Sequence, residues 1–271
     1  MMISMKRAGT CIILQLSCVF LFVGIFASST GAADDQQLFN QARRSYYNLK
    51  REGVSEFRCH VTLDWEAFLD AVKADAARKE ELLPILKKTH FEVLVGPDGA
   101  AFVSHQFDLA PPSEEVASRI QAMSGGFEQM ITGFFQTWSQ FMINSLFPSP
   151  KEKYELTNEG QTYRLSSSEG STEVFMSFGH DFALDEMQMK SAGFDATVHP
   201  ILVRTDRGFV LRSYTATYKA STGATQQIAV SIEYLPIQGL TLPSTVKASV
   251  TSPNGPVEIS LKFDDYSFTK H

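Results

Sequence analysis

The second half of the chain is a run of short strand-like segments separated by turns. From Lys153 onward, seven or eight segments mix apolar and polar residues in strand-like patterns, and most of the connections between them contain glycine. Strands at this spacing, with no long helix between them, indicate an antiparallel sheet. We predict strands at 154–157, 162–166, 173–178, 185–190, 209–218, 227–234, 245–251 and 257–263.

The first half combines strands with helices. In the stretch from Val54 to Trp65, from Glu56 onward, the apolar residues stand at odd positions and the polar ones at even positions, which is typical of a strand with one buried face. A hairpin is predicted at 91–95 and 101–107, around Gly96-Pro97-Asp98-Gly99. Near the end of the chain the apolar positions change from odd to even, which predicts a bulge or bend at Asp264–Asp265.

Three helical segments are predicted. The first spans Asp34–Arg51 and is ended by Gly53, and the second spans 66–88 and is interrupted or ended by Pro84. The third spans 113–147, with Ser113 as its N-cap. Helices in the first half and a largely antiparallel sheet define the α+β class.

The N-terminus predicts export. Lys6 and Arg7 precede an uncharged run, and small residues at 27–33 end it, which is the pattern of a cleaved signal peptide over residues 1–33. The alternative is an uncleaved membrane anchor. Cleavage leaves 22 basic and 30 acidic residues, a net charge of −8, and Cys59 as the only cysteine, which we expect to be buried and inert.

Composition and motifs exclude several functions. The excess of acidic residues argues against nucleic-acid binding, and the apolar content argues against disorder. The nucleophile, nucleotide and metalloprotease motifs are absent, so we expect no enzyme activity, no cofactor and no metal site. His60 and Asp64 share one strand face but are roughly 13 Å apart. The group 179–186 contains His180 and three acidic residues. A cation site or a hydrolase site would need such residues, but a turn between two strands has the same composition, and we expect a turn.

The segment 127–147 is the most distinctive. Its aromatic, methionine and leucine residues recur every three or four positions, and no charge occurs between Gln129 and Pro150. This pattern fits an ordinary core helix. It also fits a lid over an apolar cavity, in which Gly125-Gly126 and Gly133 act as hinges and methionine and phenylalanine repack around acyl chains.

Three stretches resemble a known family. They are Phe39-x-x-Ala42-x-x-x-Tyr46-x-x-Leu49 running into 54–65, the late strand and Gly-x-x-x-Pro turn of 230–243, and the closing segment 259–268. The chain resembles the LolA-like periplasmic lipoprotein carriers and lipid-binding proteins (LolA, LolB and LppX-like). The resemblance implies one domain over residues 34–271. In that domain a curved antiparallel sheet forms an incomplete β-barrel, and helices pack across its concave side.

The resemblance also implies a function. We expect an exported, periplasmic or secreted, non-enzymatic protein that binds a lipid or the acyl chains of a lipoprotein, and that is not an integral membrane protein after cleavage. The alternative is an envelope protein-interaction or sensor module whose interior is filled by side chains. The expected ligand-binding residues form an apolar lining: Phe57, Val61, Trp65, Phe91, Val93, Phe127, Met130, Phe134, Trp138, Phe141 and Met142.

Overall fold

The computed structural model describes residues 33–111, 113–149, 152–221, 223–252 and 255–270. The signal peptide predicted over residues 1–33 therefore lies almost wholly outside the described residues. The helices are α1 (Ala33–Ser45), α2 (Trp65–Ala71), α3 (Ala76–Leu86) and α4 (Glu114–Met142). The strands are β1 (Val54–Leu63), β2 (Thr89–Val95), β3 (Ala101–Phe107), β4 (Tyr154–Asn158), β5 (Thr162–Glu169), β6 (Thr172–Gly179), β7 (Leu184–Lys190), β8 (Phe194–Thr205), β9 (Gly208–Ala220), β10 (Thr225–Ile237), β11 (Leu240–Ser252) and β12 (Gly255–Lys270).

All twelve strands form one antiparallel sheet, in the order β3-β2-β1-β12-β11-β10-β9-β8-β7-β6-β5-β4. From β4 to β12 each strand pairs with the next one along the chain, and β1 joins β12 to the hairpin of β2 and β3. The sheet is not closed, because β3 and β4 are its two edges. The α+β class and the antiparallel sheet are as the sequence predicted.

The alternation in β1 divides the sheet into two faces. Phe57, Cys59 and Val61 are buried, and we call the face that they occupy the inner face; Arg58 and His60 lie on the outer face. Burial also raises the pKa of the Cys59 thiol, in line with an inert cysteine. The predicted bulge is confirmed: the two-residue step from Arg58 to His60 on β1 is matched by a three-residue step on β12, from Ser267 to Asp264.

One strand was missed. The sequence prediction left 194–205 as a connection, whereas the structure forms β8 there. Pro200 is the reason, because a proline inside a strand argues against a central position in a sheet. The pairing of β7 with β8 ends at Val198, so Pro200 pairs only with Tyr214 of β9 and its missing N–H falls on the unpaired side.

The predicted ends of two helices were wrong. We expected α1 to continue to Arg51, but it ends at Ser45. Beyond it the backbone N–H groups of Tyr47 and Leu49 donate to the carbonyls of Phe209 and Met142, at 2.9 and 2.8 Å. The third helix ends at Met142 instead of 147. Its N-cap is as predicted, since the Ser113 hydroxyl accepts from the Val116 N–H at 3.3 Å.

The expected break at Pro84 was also wrong. The segment 66–88 forms two helices, and the break falls near Lys73, whose φ is 56°. Pro84 lies inside the last turn of α3 and leaves the carbonyl of Glu80 without its helical donor. Glu80 is exposed, so water can satisfy this carbonyl.

Candidate functional site

Aromatic side chains of α4 pack against the inner face of the sheet. Phe57 of β1 packs against Phe135 and Trp138, with ring centroids 5.9 and 6.0 Å apart. Phe134 and Phe135 both pack against Phe263 of β12, at 5.7 Å. Near the N-terminal half of α4, Trp65 meets the ring of Phe127 edge-on at 5.0 Å. The helix thus packs against residues of β1, β12 and α2.

The predicted lining residues come together at this contact. Ten of the eleven are buried, with at most 5 % of each residue exposed, and Met130 is half-buried. The buried ten are Phe57, Val61, Trp65, Phe91, Val93, Phe127, Phe134, Trp138, Phe141 and Met142. These side chains therefore pack against one another and against their neighbours, and in this conformation they fill the space that the sequence assigned to a ligand.

The second half of α4 is covered on all sides. No residue from Met130 to Met142 is exposed, although Thr132, Gln136 and Gln140 lie on its polar side and the segment carries no charge. The polar side of this half of α4 is therefore covered as well. Gly125 and Gly133 do not interrupt the helix, and a Cβ atom added at either position would meet no atom within 4 Å.

Hydrogen bonds connect α4 to the strands at its centre. The indole N–H of Trp138 donates to the hydroxyl of Tyr234 at 3.0 Å, and that hydroxyl donates to the carbonyl of Leu211 at 2.5 Å. One position earlier in α4, the side chain of Thr137 hydrogen-bonds to Tyr214. Burial raises the pKa values of both tyrosines well above their usual range, so both hydroxyls are protonated donors at neutral pH.

Three buried polar groups have no hydrogen-bond partner among the described residues. They are the indole N–H of Trp65 and the hydroxyls of Ser124 and Ser139. Ser124 is one turn before Phe127 on α4, and the ring of Phe127 contacts Trp65, so two of these groups belong to the same part of the contact. An unsatisfied buried polar group costs about 1–3 kcal/mol. Native proteins rarely leave such groups without a protein, water or ligand partner.

An apolar row crosses the inner face from β4 to β12. One residue of each of these nine strands belongs to it, and each residue is the direct cross-strand partner of the next. The row is buried in its middle and half-buried at both ends. Its members are Leu156, Leu165, Met176, Met187, Val198, Ala216, Ile228, Val250 and Val257.

Two grooves of the described residues lie on the outer face. One is lined by residues of β1, β2, β3 and β12, and the other by Thr215, Thr217, Gln227 and their neighbours on β9, β10 and β11. Neither groove is lined by α4. A ligand at the inner face would therefore require α4 to move or its side chains to repack.

The two histidines considered in the sequence analysis, His180 and His60, have different partners in the structure. The Nε2–H group of His180 donates a hydrogen bond to the carbonyl of Gly160 at 2.7 Å, and none of its described hydrogen bonds or ion pairs joins it to a carboxylate. No described hydrogen bond or ion pair joins His60 to Asp64, which the sequence places roughly 13 Å apart on one strand face. Asp64 caps α2 by accepting from the Ala67 N–H at 3.0 Å, and His60 instead faces Asp265, 205 residues later in the chain. Sequence reasoning had no signal for that pair, because it depends on the pairing of β1 with β12.

Comparison with known proteins gives no relative: no family model matches the chain, and neither a curated protein nor a solved structure shows significant similarity to it. The likeness to LolA-like carriers stays a prediction. Among the helices of the described residues, none has the length and apolar character that a membrane-crossing helix needs.

Proposed function

We propose that the protein is an exported, non-enzymatic binding protein that holds a lipid, or the acyl chain of a lipidated ligand, between α4 and the inner face. In this proposal the sheet curves around α4, and the ligand takes the place of side chains that now fill the contact. The observation that carries the proposal is the combination of the uncharged, covered second half of α4 (Met130–Met142) with the apolar row on the sheet.

The energetics favour a ligand over spontaneous opening. Phe127, Phe134, Phe135 and Phe141 are buried in the contact, and burying each is worth roughly 1.5–3 kcal/mol. Exposing several of them to water would cost a large part of the stability of a typical domain. An acyl chain that covers the exposed rings removes most of this cost, so opening is coupled to binding.

The unpaired polar groups supply an orienting contact. Apolar ligand sites usually contain a few polar groups that fix the orientation of the ligand. The indole N–H of Trp65 and the hydroxyl of Ser124 are buried and without partners among the described residues, in an otherwise apolar part of the contact. An ester or carboxyl oxygen of a bound lipid would accept from either group and remove the cost of leaving it unpaired.

A charge-insertion pair tests the proposal. Met130 is half-buried on α4, and its neighbour Gln129 is exposed on the same helix. M130K places an ammonium group beside the proposed ligand and should weaken the binding of a fluorescent fatty acid at least about tenfold, since an unpaired charge is costly in an apolar site. Q129K, the matched control, should bind the probe like the wild type. Equal binding by M130K and Q129K, with both folded by circular dichroism, would count against the proposal.

The second candidate is the interaction or sensor module. Two observations favour it: side chains fill the predicted ligand space, and Phe102 of the edge strand β3 is 69 % exposed on the outer face. An edge strand also carries unpaired backbone N–H and C=O groups, with which a strand of a partner protein can pair. This candidate predicts no bound lipid and no binding of the fluorescent probe by the wild type.

A further inference from the structure

A cluster of metal-ligating side chains lies on the outer face, opposite α4. It consists of His60 on β1, Glu92 on β2, and Asp264 and Asp265 on β12. His60, Glu92 and Asp265 line a groove of about 380 Å³ whose other wall includes Phe102 and Ser104 of β3. The groove shares no residue with α4, so it is independent of the proposed ligand site.

The bulge in β12 brings two successive carboxylates to one histidine. Neighbouring side chains of a regular strand point to opposite faces, so Asp264 and Asp265 would normally diverge. The extra residue of the bulge, with Asp265 at a φ of 51°, changes that direction. The Nδ1 atom of His60 lies 3.3 Å from Oδ2 of Asp265. One ligand atom from each of His60, Asp264 and Asp265 lies within 4.8 Å of the other two.

These distances suit a small divalent ion. Zinc binds imidazole nitrogen at about 2.0–2.1 Å and carboxylate oxygen at about 2.0–2.2 Å. Two ligand atoms of a tetrahedral zinc site are therefore roughly 3.3–3.5 Å apart. The His60–Asp265 distance already has this value, and the third group, the half-buried Asp264, offers an oxygen within 4.8 Å of the other two ligand atoms.

Glu92 supports the other side of the imidazole. Its Oε1 atom lies 3.9 Å from Nε2 of His60. Histidines that bind metal through one nitrogen commonly donate the other N–H to a carboxylate, which fixes the tautomer and raises the basicity of the ligand. The ring of His90 lies 5.3 Å from the ring of His60 and limits the rotation of that imidazole.

We propose that His60, Asp264 and Asp265 bind a divalent transition-metal ion of the zinc class on the outer face, with Glu92 as the carboxylate that orients His60. One imidazole with two carboxylates is a ligand set for zinc, manganese or cobalt, whereas calcium and magnesium take oxygen ligands. Three protein ligands leave a fourth position for water or for a group of a bound molecule in the groove.

Calorimetric titration of the wild type with zinc chloride tests this site. We expect saturable binding of one ion per chain, lost in H60A and D265N, and weakened about tenfold or more in E92Q, because E92Q removes only the orienting partner. H199A is the matched control: His199 is also exposed and lies 3.6 Å from a single carboxylate, that of Glu186. It should bind zinc like the wild type.

The substitutions lie on the outer face, so circular dichroism should show all four variants folded. Titration with magnesium chloride should give no saturable binding. The proposal is overturned if the wild type shows no saturable zinc binding, or if H60A and H199A bind zinc equally well. Magnesium binding as tight as zinc binding would also overturn it, because it would indicate carboxylates acting without the imidazole.

Discussion

Trp138 of α4 and Tyr234 of β10 are joined by a hydrogen bond of 3.0 Å, from the indole N–H to the phenolic oxygen. The hydroxyl of Tyr234 in turn donates a hydrogen bond to the carbonyl of Leu211 on β9 at 2.5 Å. One hydroxyl group thus links a fully buried indole to the backbone of a strand. This link holds α4 in one position on the sheet.

Removing the Tyr234 hydroxyl should therefore destabilise the protein. In Y234F the indole N–H of Trp138 stays buried without a partner, which costs about 1–3 kcal/mol of unfolding free energy. Urea denaturation followed by circular dichroism measures this loss. Y163F is the control, because the hydroxyl of Tyr163 has no hydrogen bond to a described residue, and the change there should be within about 0.5 kcal/mol. Similar losses for both variants would show that the link contributes nothing specific.

Alkaline pH should unfold the protein through its tyrosines. Of the eight tyrosines, five have pKa values raised above the usual 10, with burial as the largest cause: Tyr46, Tyr47, Tyr214, Tyr234 and Tyr266. Below pH 10 both states are protonated and the stability is fully present. Above pH 10 the unfolded chain loses protons that the folded chain retains, so the unfolding free energy falls as pH rises.

The measurement compares two signals over one alkaline titration. Tyrosinate absorbance reports ionisation, and far-ultraviolet circular dichroism reports folding. We expect most of the absorbance change to appear together with the loss of the dichroism signal. Ionisation of all tyrosines near pH 10, with the dichroism unchanged, would contradict the burial of these five side chains.

Gly208 should not tolerate alanine. Its φ is +117°, and an added Cβ would lie 2.7 Å from the backbone C of Tyr46 and N of Tyr47, which cannot move away as a flexible side chain could. G223A gives the comparison, because Gly223 also has a positive φ, +85°, but open space around its Cβ position. We expect a loss of about 1–2 kcal/mol for G223A and about 3 kcal/mol or more for G208A, measured by urea denaturation. Equal losses would mean that the chain at Tyr46–Tyr47, just after α1, can move away from β9 and make room for the added Cβ atom.

Gly133 tests whether α4 bends. A Cβ added there meets no atom, so G133A should raise the unfolding free energy by about 0.5–1 kcal/mol. If ligand uptake requires bending at this glycine, G133A should also slow the association of a fluorescent fatty acid in stopped-flow measurements. G193A, at an unhindered glycine outside any helix, should leave the association rate unchanged. An unchanged rate in G133A would assign the opening motion to another part of the chain.

Local patterns predicted much of this fold. The alternation in β1, the hairpin of β2 and β3, the N-cap Ser113 and the bulge at Asp264–Asp265 all follow from short-range rules, and the structure has each of them. Each depends only on the residues within a few positions in the chain.

The wrong or missing predictions concern segments whose structure depends on contacts with residues far away in the chain. Tyr46 and Leu49 continue the helical spacing of α1, yet the chain leaves the helix there to bond with β9 and the end of α4. The strand β8 contains Pro200, and the sequence does not reveal that the pairing of β7 with β8 ends at Val198, before this proline. The partners of His60 were hidden for the same reason, since they lie on the strand that closes the chain.

Mass spectrometry of the organic extract of folded protein, exported and purified without detergent, tests the central claim most directly. The account predicts about one lipid or acylated molecule per chain in the wild type and in Q129K, and much less in M130K. Protein that yields no apolar molecule on extraction, and that also fails to bind a fluorescent fatty acid, would contradict the claim that α4 and the sheet hold a lipid between them.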